Sequence, residues 1–246
     1  MTLLAAALAT VVGLTLGLLG GGGAILTVPI LVYVVGLTPK VAVPVSLVVV
    51  GLASAVGAAG HWRAGRLIPG EGMRFAGFAM AGAFLGARVG LWLPDRLQLG
   101  IFAGVVLVAA MAMWRSVGRA VPTGPAHPVW HVSAAGAGVG ALTGLVGVGG
   151  GFLFVPALVS MLRYPVAKAT AISLVVIALN AAAALVGYGP SLALPWPLVL
   201  PFLGCVIVGL LLGQALAPRV RADTLKRSFA LLLLVVGAFV LIQNLR

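Results

Sequence analysis

The chain has 246 residues, of which 62% are hydrophobic and 7% charged, and its mean hydropathy is +1.24. A soluble domain carries about 25% charged residues, so that class is excluded and a polytopic membrane protein remains. Fifteen Lys and Arg against three Asp and Glu give a formal charge of +12, but the cations stand singly or in small groups between apolar runs, as in cytoplasmic loops, which argues against nucleic-acid binding.

No basic stretch precedes the first apolar run, which starts Met1-Thr2-Leu3-Leu4, so a membrane segment is expected there rather than a cleaved signal. The first block extends from Thr2 to Leu37, too long for one crossing of roughly 17–25 residues. Gly20-Gly21-Gly22-Gly23 divide it. Each glycine costs about 1 kcal/mol of helix propensity, so two arms at roughly 2–19 and 24–36, joined by a glycine turn, are expected. Apolar runs follow at roughly 41–60, 73–93 and 97–117, then a linker rich in proline. A second broken block at roughly 132–162 is followed by runs at roughly 168–187, 196–217 and 225–243. The lone Cys205 cannot form an intramolecular disulfide.

The second half repeats the first. VGLTLGLLGGGGAILTVP at 12–29 aligns without a gap on VGALTGLVGVGGGFLFVP at 139–156. The register continues, with Ser46-Leu47-Val48-Val49 on Ser173-Leu174-Val175-Val176, Gly60 on Gly187 and Phe102 on Phe229. This self-similarity divides the chain into a first transmembrane repeat (1–117), a linker (118–131) and a second repeat (132–246).

Loop charges orient the repeats. The loop after the second segment carries Arg63, Arg66 and Arg74, and its counterpart carries none. The next loop reverses the bias, with Arg96 and Asp95 against Arg219, Arg221, Lys226 and Arg227. Equivalent loops on opposite sides of the membrane are the mark of inverted-topology repeats. The expected fold class is therefore an all-α polytopic membrane protein of two inverted repeats, each a glycine-broken helical hairpin followed by three transmembrane helices. Arg115, Arg119, Arg163 and Lys168 join the cytoplasmic set, Lys40 and Arg246 fall outside, and both termini face away from the cytoplasm.

The three carboxylates, Glu71, Asp95 and Asp223, fall in expected loops, and no metal-ligand spacing, phosphate loop or nucleophile elbow occurs. An enzyme and a cofactor are therefore not expected, and a proton relay through an intramembrane carboxylate is disfavoured. What remains is the pair of glycine turns. Non-helical backbone inside lipid survives only where protein or a water-filled cavity covers it, and matched breaks in inverted repeats point to a midplane site. Helix arms starting near Gly22, Gly23 and Ala24, and near Gly149, Gly150 and Gly151, turn free N–H groups towards the breaks and favour an anion. Gly13, Gly17, Gly140 and Gly144 are read as packing glycines instead. Thr27, the matched Ser46 and Ser173, and Asn180 could add hydroxyl and amide donors; taken alone, Thr27 or Ser54 would more ordinarily cap its own helix. His61 and Trp62 suit an interfacial anchor, and Arg88 either snorkels or faces the pathway.

The doubled Gly-rich and Pro motif, each copy followed by a span with a serine, resembles the sulfite exporter TauE/SafE family, the toluene-sulfonate uptake permease group. The resemblance covers essentially the whole chain. It implies a bacterial or archaeal inner-membrane transporter of sulfur-containing anions such as sulfite, sulfoacetate or organosulfonates. Ala24 stands where the second turn has Gly151, so the two halves of a site are not expected to be identical. The expected partners are a small anionic substrate and the lipid bilayer, with no nucleic acid and with a homodimer left open. Export is favoured over uptake, because no site for a coupling cation is evident. A different solute, or a non-transporting scaffold in which the glycines only pack, are the competing readings.

Overall fold

The computed structural model describes residues 3–63, 65, 71–118, 129–146, 151–160, 164, 166–189 and 194–245. Among these it forms α1 (Leu3–Leu19), α2 (Ala24–Pro29), α3 (Pro39–Arg63), α4 (Glu71–Gly90) and α5 (Asp95–Arg115) in the first repeat. The second repeat gives α6 (Val129–Val146), α7 (Gly151–Ser160), α8 (Val166–Tyr188), α9 (Trp196–Leu216) and α10 (Ala222–Leu245). The broken blocks are the pairs α1/α2 and α6/α7, and the runs that follow them are the long helices. Residues 119–128 of the linker, and the expected loop cations Arg66, Arg119, Arg163 and Arg246, lie outside the described residues.

Five of these helices are long and apolar enough to cross a membrane, as a multi-pass membrane protein requires. All five tryptophans, Trp62, Trp92, Trp114, Trp130 and Trp196, are exposed and lie at or near helix ends, where amphipathic rings sit at the lipid headgroups. The second arm is extended by proline chemistry. Pro29 has no N–H to give the helix, and the chain passes into a π-helical turn at Ile30–Val34, with the Val35 N–H donating to Ile30 O at 3.0 Å.

Glycine decides which helices touch. Methyl groups placed on Gly13 and Gly17 of α1 would overlap the carbonyls of Val206 and Leu210 on α9. Methyls on Gly209 and Gly213 would overlap Thr10 and Leu14 in return. The same contact is built again between α6 and α4, with Gly140 and Gly144 against Ala79 and Ala83, and Gly82 and Gly86 against Ala137 and Ala141. Lipid tails are as apolar as leucine, so close backbone approach is what draws such helices together. In both pairs the residue numbers rise together, so each pair runs parallel.

Equivalent helices of the two repeats also pack on one another. Gly51 of α3 meets Ala181 of α8, and Gly57 meets Leu174, so these two helices run antiparallel. On α5 and α10, Gly237 meets Val106 and Leu107, Lys226 Nζ donates to Ser116 O, and Asn244 Nδ2 donates to Arg96 O. They too run antiparallel.

These contacts make a paired prediction. Gly140→Ala should lower the thermal stability in detergent by about 1–3 kcal/mol, because a rigid carbonyl occupies the space. Gly138→Ala, on the same helix with nothing within 4 Å of the added carbon, should stay within about 0.5 kcal/mol of the parent. Equal effects of the two changes would contradict the packing described.

Candidate functional site

The first break is a tight backbone turn. Gly20 (φ +64) and Gly21 (φ +151) hold conformations that L side chains rarely adopt. The Gly20 N–H donates to Leu16 O at 2.8 Å, and the Ala24 N–H returns to Gly21 O at 3.2 Å. A methyl on Gly23 would overlap Val12 O, so the second arm starts against the side of the first. At the other end of the turn the two breaks meet. Gly21 and Gly151 touch backbone to backbone, and a carbon added to Gly151 would lie 2.7 Å from both the Cα and the carbonyl oxygen of Gly21. The irregular backbone of the first break is thus covered by the first residue of α7.

Helix α8 runs along this meeting point on one face. Thr170, Ser173, Ile177 and Asn180 follow the i, i+3, i+7, i+10 spacing of a helical stripe. Thr170 packs on Gly20, and the Ser173 hydroxyl is in hydrogen-bond contact with Gly20 O and, at 2.8 Å, with Thr170 O. The Ile177 side chain lies against Gly151. Asn180 Nδ2 donates to Thr143 Oγ1 at 2.9 Å, and Thr143 in turn donates to Gly140 O at 2.9 Å on α6. The equivalent stripe on α3 reads Val43, Ser46, Val50 and Ala53. Only one of its four positions is polar.

Among the described residues that are 0% exposed, four side-chain polar atoms have no hydrogen-bond partner: Thr27 Oγ1, Ser46 Oγ, Ser54 Oγ and Asn180 Oδ1. An unmet buried polar group costs about 1–3 kcal/mol, so these positions favour something that can bond to them. Thr27 stands where the second arm has Phe154, whose ring packs edge-on to Phe75 at 5.7 Å between centroids.

The expected site residues do not gather at one point. Gly22, Gly23 and Ala24 lie at the first break, with Phe229 over Gly22. Ala24 spends its N–H on the turn itself and is not a free donor. Gly151 and Ser173 are at the junction, and Asn180 is one helical turn beyond Ile177. Gly149 and Gly150 lie outside the described residues. Ser46 is elsewhere: from the Gly51–Ala181 contact the two antiparallel helices carry Ser46 and Ser173 in opposite directions, which at 1.5 Å per residue leaves on the order of 20 Å between them. A small anion cannot bridge both. The expectation of one site closed by the two serines is therefore corrected, because residues matched by the repeat end up on opposite sides of the meeting point.

Sequence reasoning missed Gly21 as the contact with Gly151 and Gly20 as the contact with Thr170 and Ser173, and it missed Thr143 and Thr170. A signal for the threonines was present: Thr143 and Thr170 are polar where the first repeat has Leu16 and Val43, just as Asn180 replaces Ala53. Arg88 is exposed, with its guanidinium 5.6 Å from the Phe84 ring, which places it on the outer surface and away from the junction. Away from the breaks, Thr38, Lys40, Pro94, Asp95 and Arg96 line a recess of about 490 Å³ near the N-termini of α3 and α5.

Comparison with known proteins gives one consistent result. The sulfite exporter TauE/SafE family matches the chain over residues 5–240. A "Probable membrane transporter protein" of Xylella fastidiosa (strain 9a5c) is 34% identical over 239 residues, covering 94% of this chain and 91% of that protein. Its counterpart in strain Temecula1 is 33% identical over the same extent. A shorter match, 30% over 99 residues and 40% of each chain, is to the "Probable membrane transporter protein YdhB" of Bacillus subtilis (strain 168). No solved structure matches the chain.

The junction geometry predicts that Gly21→Ala is among the most damaging single changes. It combines positive-φ strain with overlap against Gly151, and it should cost about 2 kcal/mol or more. Ser173→Ala removes one hydroxyl contact and should cost about 1 kcal/mol. Thermal denaturation of the purified variants compares the two, and the glycine change should be the larger.

Proposed function

The chain belongs to the sulfite exporter TauE/SafE family and is a membrane transporter, and on that premise we propose that its cargo is a small sulfur-containing anion held where the two breaks meet. The observation that carries this reading is the backbone contact between Gly21 and Gly151. It brings the start of α2 and the start of α7 to one point, and helix N-termini present N–H groups and a positive dipole end. In this reading the anion lies against the α8 stripe. Ser173, whose single hydroxyl proton faces carbonyls in the present state, turns it towards the anion. The donors in this reading are backbone amides near Gly22, Gly23, Gly149, Gly150 and Gly151.

The antiparallel packing of α3 on α8 and of α5 on α10 supports inverted repeats. Such repeats give alternating access by rocking about a fixed site. The loop charges support termini outside the cytoplasm in an inner-membrane protein. Export is the favoured direction. The carboxylates Asp95 and Asp223 begin α5 and α10 and do not enter the interior of a span. A membrane negative inside expels an anion with about 2.3 kcal/mol per charge per 100 mV.

The test is flux of radiolabelled sulfite and of a sulfonate in proteoliposomes at clamped potential. Efflux should rise about tenfold for each 60 mV if one net charge moves and the potential acts fully on the rate, and less if it acts partly. Accumulation against the gradient that collapses with a proton gradient would overturn export. Absence of any anion flux, with amine or neutral-solute flux in its place, would overturn the substrate class.

A further inference from the structure

Asn180 is oriented by its neighbours. Thr143 has one hydroxyl hydrogen, and it points to Gly140 O at 2.9 Å. Towards Asn180 the same oxygen can only accept, so the amide group 2.9 Å away is the NH₂ end. The carbonyl oxygen Oδ1 is thereby turned to the other side, fully buried and without a partner. The opposite orientation would set Oδ1 against the Thr143 oxygen with no hydrogen between them and leave both N–H groups unmet, and buried orphan donors are the rarer case. Asn180 is also placed at the breaks: Ile177, one turn earlier on the same face, rests on Gly151, and Thr143 lies one turn before the end of α6.

An acceptor beside an anion site has a definite consequence. It repels a bare oxyanion and rewards an anion that brings its own hydrogen-bond donor. Building on the anion reading above, we infer that Asn180 selects cargo carrying an O–H or N–H group beside its negative charge: a monoprotonated oxyanion, or a hydroxy- or amino-sulfonate rather than an alkyl sulfonate. A bare metal cation is the poorer match. Sodium and its relatives need several oxygen ligands, and the side chains at the junction offer one unpaired carbonyl with no carboxylate among the described residues. One acceptor matches one donor.

The test compares two anions of equal charge and nearly equal shape in the wild-type protein. These are 2-hydroxyethanesulfonate, which carries the donor, and 1-propanesulfonate, which does not. Competition against labelled sulfite flux in proteoliposomes should favour the hydroxylated anion by about tenfold or more, since leaving a buried acceptor unpaired costs about 1–3 kcal/mol. In Asn180→Leu the difference should shrink to within about threefold, again on the cost of one lost pairing. Thr143→Val, which frees the amide to rotate, should shrink it as well and serves if the leucine variant does not fold.

Equal competition by the two anions in the wild type would overturn the role of Asn180 while leaving the anion reading intact. A preference that survives both substitutions would overturn it too. Flux that is lost when sodium is replaced by choline would assign Oδ1 to a cation instead. Failure of both anions and of sulfite to bind would remove the anion reading and this inference with it.

Discussion

The constraint on which the structure depends is that backbone polar groups inside a membrane must be satisfied by protein. A helix satisfies itself, and a break in a helix does not. This chain interrupts two helices deep in its apolar sequence and covers the first interruption with the start of α7. Gly21 and Gly151 share the contact, and Gly20 O is taken by Ser173. Side chains larger than hydrogen would hold the two turns apart, so the glycine content there follows from the contact. The close packing of α1 on α9 and of α4 on α6 brings the arms to the positions from which the turns can meet.

Duplication accounts for the scaffold and divergence accounts for the site. Where the two repeats agree, the residues are glycines at helix crossings and large apolar side chains: Gly13 with Gly140, Gly82 with Gly209, Phe75 with Phe202, Phe102 with Phe229. Where they disagree at buried positions, polarity is the difference. Thr170, Thr143 and Asn180 face Val43, Leu16 and Ala53 in the register of the repeat, and Thr27 faces Phe154. Burying a hydroxyl or amide where its mate is aliphatic is costly unless it is bonded. Three of the departures, Thr170, Asn180 and Thr143, fall on α8 and the helix end it touches, while Ser54, Gln98 and Thr27 are polar where the second repeat has Ala181, Leu225 and Phe154.

Most of the fold was legible in the sequence, because helix boundaries follow from long apolar runs and from glycine and proline. The expected arms at roughly 2–19 and 24–36 correspond to Leu3–Leu19 and to Ala24–Pro29 with its π-helical continuation to Val34. The site was less legible for a geometric reason. A repeat alignment pairs Ser46 with Ser173, and pairing in sequence suggests proximity. Antiparallel packing of α3 on α8 instead carries matched residues away from the crossing in opposite directions, and Ser46 and Ser173 lie on either side of the Gly51–Ala181 contact. Which glycine of a run of four carries the contact also could not be read from composition, since any of the four can adopt the positive φ that Gly20 and Gly21 hold.

The polar asymmetry also bears on how a transporter of this design would work. In alternating access by inverted repeats, the outward and inward states exchange the conformations of the two halves. With identical halves the two states would be equal in energy. Here the groups that stay bonded on one flank have no counterpart on the other: the Asn180–Thr143–Gly140 chain joins α8 to α6, and its equivalent positions, Ala53, Leu16 and Gly13, can build no such chain between α3 and α1. Any movement that separates α8 from α6 must break that buried bond, while a movement of α3 away from α9, the partner of α1, must break the Gln214–Gly57 bond instead. A buried hydrogen bond contributes about 0.5–1.5 kcal/mol net and costs more when its partners are left unpaired, so a transporter of this design, breaking different bonds in its two movements, would not have two states of equal energy.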